Sequence, residues 1–461
     1  MSSCTLYGRT IYTNSVGVNS ALFTLQAFSG PQRRTGRSQI PRFSFVVTKA
    51  TNIISPIPGV WRAYSIPFVM KIAILTSGIL PVPAVQGGAV EMLIDHYLEY
   101  NQQHRLHDIT VYSVYHPKVE SCTQLQSDVN HYSYIDVSSL WAKVRKHLHG
   151  LLHRDTYYHY SIDYFFRQSL QEVCRQKFDM IILENRPGYA IQRQGQMNAR
   201  LIYHLHNDFL NSNTRQGADI YRAATKIITV SDYIRSRVIT CCEQDDKTIT
   251  VHNGIDLEAF AHPAPMTRGQ IGCKADDFIL VFSGRLIPEK GIMELIEAMK
   301  MLREQPHIKL LVIGSSFFEN AKSDDAFIAE LKNSARELGA RIVFTGYVKH
   351  EQVPDYLKLA DVAVIPSTWN DPFPTTVLEG MAAGLPIITT NRGGIPEMVT
   401  TDNAIVLPFP GDLTGNLAHA IQYLYNNREL CQQMGVASQV LSKQYSKETY
   451  ARDFFNAITA E

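Results

Sequence analysis

FILVFSGRLIPEKGIMELIEAMKMLREQPHIKLLVI, residues 278–313, decides the fold. It opens and closes on unbroken apolar hexapeptides, FILVFS (278–283) and IKLLVI (308–313). Between them Ile292, Leu295, Ile296 and Met299 recur at i, i+3, i+4 and i+7. A strand without polar alternation is buried on both faces, as inside a parallel sheet, and the stripe is a helix laid against that sheet. Strand, crossover helix and strand in this order make a parallel βαβ unit.

The pattern continues in both directions. Downstream it gives strands at RIVFT (341–345), VAVI (362–365), PIIT (386–389) and IVLP (405–408). Upstream it gives KIAILT (71–76), ITVYSV (109–114), MIILE (180–184), LIYHLH (201–206), KIITV (226–230) and TITV (248–251). The class is α/β, with two Rossmann-like doubly wound domains facing a cleft. We expect a first domain at 70–257, a polar linker at 258–274 after the Asn-Gly turn of VHNGID (251–256), and a second domain at 275–440. The segment 441–461 is expected to be a helix crossing back to the first domain through Tyr450, Phe454 and Phe455. Ligands on such sheets bind at the carboxyl ends of the strands.

Composition excludes several classes. Residues 1–69 hold seven of the 44 basic residues and none of the 43 acidic ones, so 70–461 carries 37 basic against 43 acidic groups, a net −6. A mildly acidic body is not the footprint of a nucleic-acid binder. Seven cysteines, at 4, 122, 174, 241, 242, 273 and 431, show neither zinc-site spacing nor a disulfide framework. We expect a reducing, cytoplasmic setting and no membrane span. Residues 1–69 lack a hydrophobic period and are expected to be unstructured, an over-extended reading frame with initiation at Met70 rather than a targeting segment.

The chemistry gathers in DPFPTTVLEGMAAGLPIITTNRGGIPE, 371–397. Pro372 and Pro374 stiffen a loop ahead of a helix starting near Thr375, whose free N–H groups make an anion site. Asp371 and Glu379 can face one ligand from two levels, and a carboxylate there suits paired sugar hydroxyls. In SGRLIPEKG (283–291), Arg285 and Lys290 follow the first strand of the second domain and can both reach the cleft, where with that helix end they suit an anionic group. Gly87 and Gly88 would let backbone approach a phosphate or acceptor closely, or simply turn the chain. His204 and His206 share one pleat of YHLHNDF (203–209); either can be a satisfied core group, and with Asp208 they make a poor metal set.

The 371–397 segment resembles the E-x7-E signature of the retaining glycosyltransferases of family 4 (GT-B fold), with Asp371 in place of the first Glu, and the resemblance extends over residues 70–458. It implies ribose hydroxyls on Glu379, donor sugar near Asp371 and His206, and diphosphate on Arg285 and Lys290 of a G-R-x4-K-G motif. It further implies donor contacts at Gly87, Gly88, Gly284, Gly314, Ser315, Gly346, Tyr347, Val348, Phe373, Pro374, Thr375 and Thr376. Arg392, Gly393 and Gly394 would shape the phosphate pocket.

The resulting expectation is transfer of a sugar from a nucleoside diphosphate, UDP favoured and GDP-mannose second, to a hydroxyl of a glycan or lipid-linked acceptor, with no metal or cofactor. The basic, aromatic stretch 141–170 could rest on an anionic membrane or be a solvated insertion. A catalytically impaired nucleotide-sugar-binding regulator is one alternative. A nicotinamide oxidoreductase is another, but neither half carries the GxGxxG it would need.

Overall fold

The computed structural model describes residues 2–6, 9–13, 52–54, 63–65, 69–137, 160–193, 195, 198–262, 266–314 and 326–460. Met1–Val69 and Met70–Glu461 are separate units. Within the first, Ser2–Leu6 pairs antiparallel with Arg9–Thr13, and Asn52–Ile54 with Ala63–Ser65. Strands this close in sequence pair at little loop-closure entropy.

The second unit contains two parallel sheets. The first comprises β1 (Lys71–Leu75), β2 (Asp108–Val114), β3 (Asn130–Ile135), β4 (Met180–Glu184), β5 (Arg200–Leu205), β6 (Lys226–Thr229) and β7 (Thr248–Thr250), in the order β7-β6-β5-β4-β1-β2-β3. The second comprises β8 (Phe278–Ser283), β9 (Ile308–Ile313), β10 (Ile342–Gly346), β11 (Val362–Ile365), β12 (Ile387–Thr390) and β13 (Ala404–Leu407), in the order β10-β9-β8-β11-β12-β13. In each sheet the order reverses beside the first strand, between β1 and β4 and between β8 and β11. Crossovers leaving a first strand on opposite sides part there and open a crevice at the carboxyl ends.

Burial explains which strands the sequence reveals. Every residue of β4 is buried, as is every residue of β8 except Ser283. The sequence reading passes over β3, NHYSYI, because it is an edge strand with only its two ends buried, so it has no apolar run. The helical stripe forms α4 (Ile292–Met301); Ile292, Leu295, Ile296 and Met299 are fully buried against Phe278, Leu280 and Phe282 of β8.

The basic stretch 141–170 is only partly described. Its end lies in the helix Tyr160–Arg175, where Ile162, Phe165, Phe166 and Leu170 are buried in the core. Phe165 and Phe166 serve packing rather than a membrane surface, and residues 141–159 of the stretch lie outside the described residues. Among the described residues, no helix is long and apolar enough to cross a membrane.

Two further helices tie the halves together: α1 (Ala89–His104) after β1, and α8 (Lys447–Thr459) at the C-terminus. Tyr450, Phe454 and Phe455 of α8 enter the first domain's core, where Phe454 stacks on Tyr97 of α1 at 4.3 Å between ring centres. The crossing is pinned at the hinge: Ile255 N–H donates to Tyr445 O at 2.9 Å, and Lys447 N–H to Ile255 O at 2.8 Å. Lys447 also bridges Asp256 and Glu99 of α1, at 2.9 and 3.1 Å.

Phe454→Ala removes a fully buried ring from this junction and is expected to destabilise the chain by about 3–5 kcal/mol. Denaturant unfolding of the full chain measures it. An unchanged midpoint would show that α8 is not part of the cooperative unit.

Candidate active site

The facing switch points enclose a cavity of about 180 Å³. From the first domain it is lined by Gln86, Gly87, Gly88 and Met92, the turn and first residues of α1. From the second come Ser283, Gly284 and Arg285 after β8, Ile313 and Gly314 at the end of β9, Tyr347, Val348, His350 and Val353 after β10, and Thr376 and Glu379 of α5 (Thr375–Ala382). Gln86, Met92, Ser283, His350 and Val353 escaped the sequence reading. His350 opens a short 3-10 turn, His350–Gln352, whose polar residues carry no period to betray it. Ser315 lies outside the described residues.

Two glycine positions are required by space. Gly88 caps α1 at φ +108°, and a Cβ there would lie 2.3 Å from Glu91 Oε2. Gly314 has φ +136°, and a Cβ would lie 2.0 Å from the carbonyl oxygen of Gly284. Backbone therefore lines the cavity where side chains would fill it.

The charges are not all free. Arg285 is exposed at the cavity and forms no ion pair among the described residues. Lys290 is ion-paired with Asp371 and lies 5.8 Å from the ring centre of Trp369. Asp371 is buried, with Ser367 Oγ donating to it at 3.4 Å, and neither partner of the pair lines the cavity.

No side chain caps α5, whose N-cap is Pro374; Val377 N–H donates to Pro374 O at 3.1 Å, which leaves the N–H groups of Thr375 and Thr376 to an anion. Glu379 follows one turn in, 5% exposed. Burial pushes its carboxyl up, against the charge of His350 and a hydrogen bond from Thr375. Phe373 stacks on His252 at 4.7 Å and gives its carbonyl to Asn253 at 3.0 Å, so it supports the loop from behind. Gly393 and Gly394 pack under the same loop, the Gly394 N–H reaching Asp371 O at 2.8 Å.

The histidines meet a partner that the sequence reading missed. Glu184, the last residue of β4, is paired in register with His204 of β5 and is fully buried. Its carboxylate takes His204 Nδ1 at 3.1 Å, His206 Nε2 at 2.9 Å and the Tyr97 hydroxyl at 2.9 Å. Burial alone would raise Glu184, but the two histidines hold it down to about 2. Burial and then His204 push His206 down to about 4, against the pull of Glu184. Asp208, the third member of the weighed metal set, is instead bound to Arg237 at 2.8 Å. Glu184, His204 and His206 hold potential ligand atoms within 4.8 Å of one another, but each is engaged in the hydrogen bonds just given. A signal was available: an acid closing an apolar strand has to find donors.

Two parallel sheets of this order, with an uncapped helix end, an exposed arginine and a buried carboxylate around one cavity, define a glycosyltransferase of the GT-B fold. The chain belongs to glycosyltransferase family 4. Residues 97–259 match the Glycosyltransferase Family 4 profile and residues 265–440 the Glycosyl transferases group 1 profile. A putative glycosyltransferase of Bacillus subtilis, YtcC, is 28% identical over 380 residues, covering 79% of this chain and 86% of the relative. The lipopolysaccharide 1,2-N-acetylglucosaminetransferase of Salmonella typhimurium is 26% identical over 289 residues, 61% of this chain and 73% of that one. Anabaena HepE in complex with UDP-glucose superposes with a TM-score of 0.64 at 19% identity, over 85% of this chain and 99% of that structure.

Behind Gly88 lies Glu91, in the first turn of α1, with Ser77 Oγ donating to it at 3.0 Å. Burial pushes its carboxyl up to about 7, against its own backbone N–H and Ser77. A raised carboxyl contributes stability that is full below the unfolded value near 4.5 and is lost as pH rises through the folded value. Glu91→Gln is therefore expected to lose less stability than wild type between pH 5 and pH 9, by on the order of 3 kcal/mol. Urea melts at the two pH values check this; parallel losses in both proteins would refute it.

Proposed function

We propose that the enzyme transfers a sugar from a nucleoside diphosphate, UDP favoured and GDP-mannose second, to a hydroxyl of a glycan or lipid-linked acceptor with retention at the anomeric carbon. The observation that carries this reading is the cavity itself, which brings Arg285, the open end of α5 and Glu379 together opposite the Gly87-Gly88 turn. The nucleotide lies between Gly314 and the loop after β10 with its ribose on Glu379, and Tyr347, 42% exposed, lines the cavity on the side of the base. Desolvated as it is, Glu379 gains from two hydroxyl donors.

The diphosphate meets Arg285 and the N-terminus of α5, and competes with Asp371 for the ammonium of Lys290. These positive charges stabilise the leaving group without calling on a metal ion. His206 orients the sugar. Among the described residues lining the cavity, Glu379 is the one carboxylate, and it is assigned to the ribose. That favours attack on the donor's leaving-group face, with the departing phosphate oxygen taking the acceptor's proton, so that retention needs no protein nucleophile. The first domain, 70–257, presents the acceptor. The lipopolysaccharide enzyme and the UDP-glucose complex among the similar proteins favour a UDP-sugar and a cytoplasmic step in cell-surface polysaccharide assembly. The closed Lys290–Asp371 pair supports a second reading, a regulator that binds the donor without turning it over.

Nucleotide release by the full chain with UDP-, GDP- and ADP-sugars in EDTA separates the two readings. One donor is expected to turn over, with Arg285→Ala and Glu379→Ala each lowering kcat/KM by about 10²–10³-fold. Binding without release would favour the regulator, and an inverted anomeric centre in the first product would exclude the retaining mechanism.

A further inference from the structure

The Glu184 cluster is built more elaborately than core packing requires. One carboxylate, fully buried, accepts from three donors that come from α1 and β5 and the residue just past β5. His206 is held a second time through its backbone, whose N–H donates to Asn185 Oδ1 at 3.2 Å. Asn185 reaches that position in the left-handed region, φ +66°, a conformation asparagine tolerates better than most residues. Both ends of His206 are thus fixed by consecutive residues, Glu184 and Asn185.

The arrangement leaves two ring nitrogens over, Nε2 of His204 and Nδ1 of His206. A carboxylate only accepts, so the bond between Glu184 and His206 at 2.9 Å places the proton on Nε2. The other ring nitrogen, Nδ1, is buried and has no hydrogen-bond partner. His206 is 6% exposed and stands one residue beyond β5, two residues nearer the carboxyl edge of the sheet than His204. A buried lone pair without a donor is unfavourable by about 1–3 kcal/mol, and of the two histidines it is His206 that stands past the strand end. Tyr97 completes the clamp: its hydroxyl holds Glu184 Oε1 while its ring is stacked on Phe454 of α8.

We infer that Glu184 is a positioning residue for the transfer: it locks His206 as the Nε2–H tautomer, so that Nδ1 stands ready to accept a hydrogen bond from a hydroxyl of the donor sugar. This rests on the proposed role of His206 in holding that sugar. It explains why a glutamate ends an otherwise apolar strand. The sugar hydroxyl satisfies Nδ1, and the carboxylate strengthens Nδ1 as an acceptor through the ring. Nucleotide alone makes no such contact.

The test uses full-length protein labelled with ¹⁵N-histidine, with the His206 signals assigned by comparison with His206→Gln. Wild type is expected to show protonated Nε2 and bare Nδ1, with Nδ1 shifting on addition of the UDP-sugar that the enzyme binds but not of UDP. In Glu184→Gln, one carbonyl oxygen and an NH₂ replace two acceptor oxygens, so His206 is expected to lose the single tautomer. Its kcat is expected to fall about 10–100-fold, with KM for the donor within about threefold of wild type. Glu184→Asp, which keeps the charge, is expected to recover part of that loss. A protonated Nδ1 in wild type, or an unchanged kcat in a folded Glu184→Gln, overturns the inference. The wild-type spectrum needs no turnover, so a protein that proves not to transfer sugar leaves the tautomer readable, and the two failures are told apart.

Discussion

Parallel strand order is the constraint from which the rest of this molecule follows. Both sheets reverse direction beside their first strand, and each reversal opens a crevice at the carboxyl ends. What the chain places immediately after β1, β4, β8, β9 and β10 therefore arrives at the cleft without further instruction. Gly87, Gly88, Gly284, Arg285, Gly314 and Tyr347 line one cavity because each follows a strand end. Glu184 and His206 end neighbouring strands and meet for the same reason.

Within that frame, four buried carboxyls are handled in four ways. Glu184 has three donors and remains charged in a fully buried place. Asp371 has Lys290 and is neutralised as a pair. Glu91 has Ser77 and its own backbone N–H, which is not enough to offset burial, and its carboxyl titrates near neutrality. Glu379 has only Thr375 and the nearby charge of His350, and it stands on the cavity wall. A carboxylate left short of donors at an open surface has the most to gain from a ligand that supplies them. Coulomb attraction alone would have ranked Asp371 first; counting satisfied lone pairs ranks Glu379 first.

The sequence was legible where one residue type answers to one physical demand. Continuous apolar runs gave the parallel strands, and the stripe at 292–299 gave α4, because burial on two faces or one leaves a periodic trace. Edge strand β3 left none, since its middle residues are part-exposed and free to vary in polarity. In the site, Arg285, Glu379 and the glycines were readable from their offset to a strand end. The pairing of Lys290 with Asp371 was not, because 81 residues separate them and only the closing of β8 against β11 brings them together. Glu184 was read as the last letter of a strand. The register that sets it beside His204 is a property of two strands at once, and no single stretch of sequence displays it.

The same reasoning gives α8 a role beyond packing. Its Phe454 fixes the ring of Tyr97, and the Tyr97 hydroxyl helps to fix Glu184, while Lys447 at the start of α8 holds the hinge at Asp256 and α1 at Glu99. Across the cleft, Glu397 of the second domain accepts the N–H groups of Asp232 and Tyr233 of the first, both at 2.7 Å. The hinge, the crossing helix and the His206 clamp thus share side chains. A rotation of one domain on the other cannot leave Tyr97 where it is unless α8 travels with the first domain. The depth at which Phe454 and Tyr450 are buried there ties α8 to the first domain. The chain therefore passes from one domain to the other in the short segment before Lys447, and the clamp belongs to the half of the molecule that carries it.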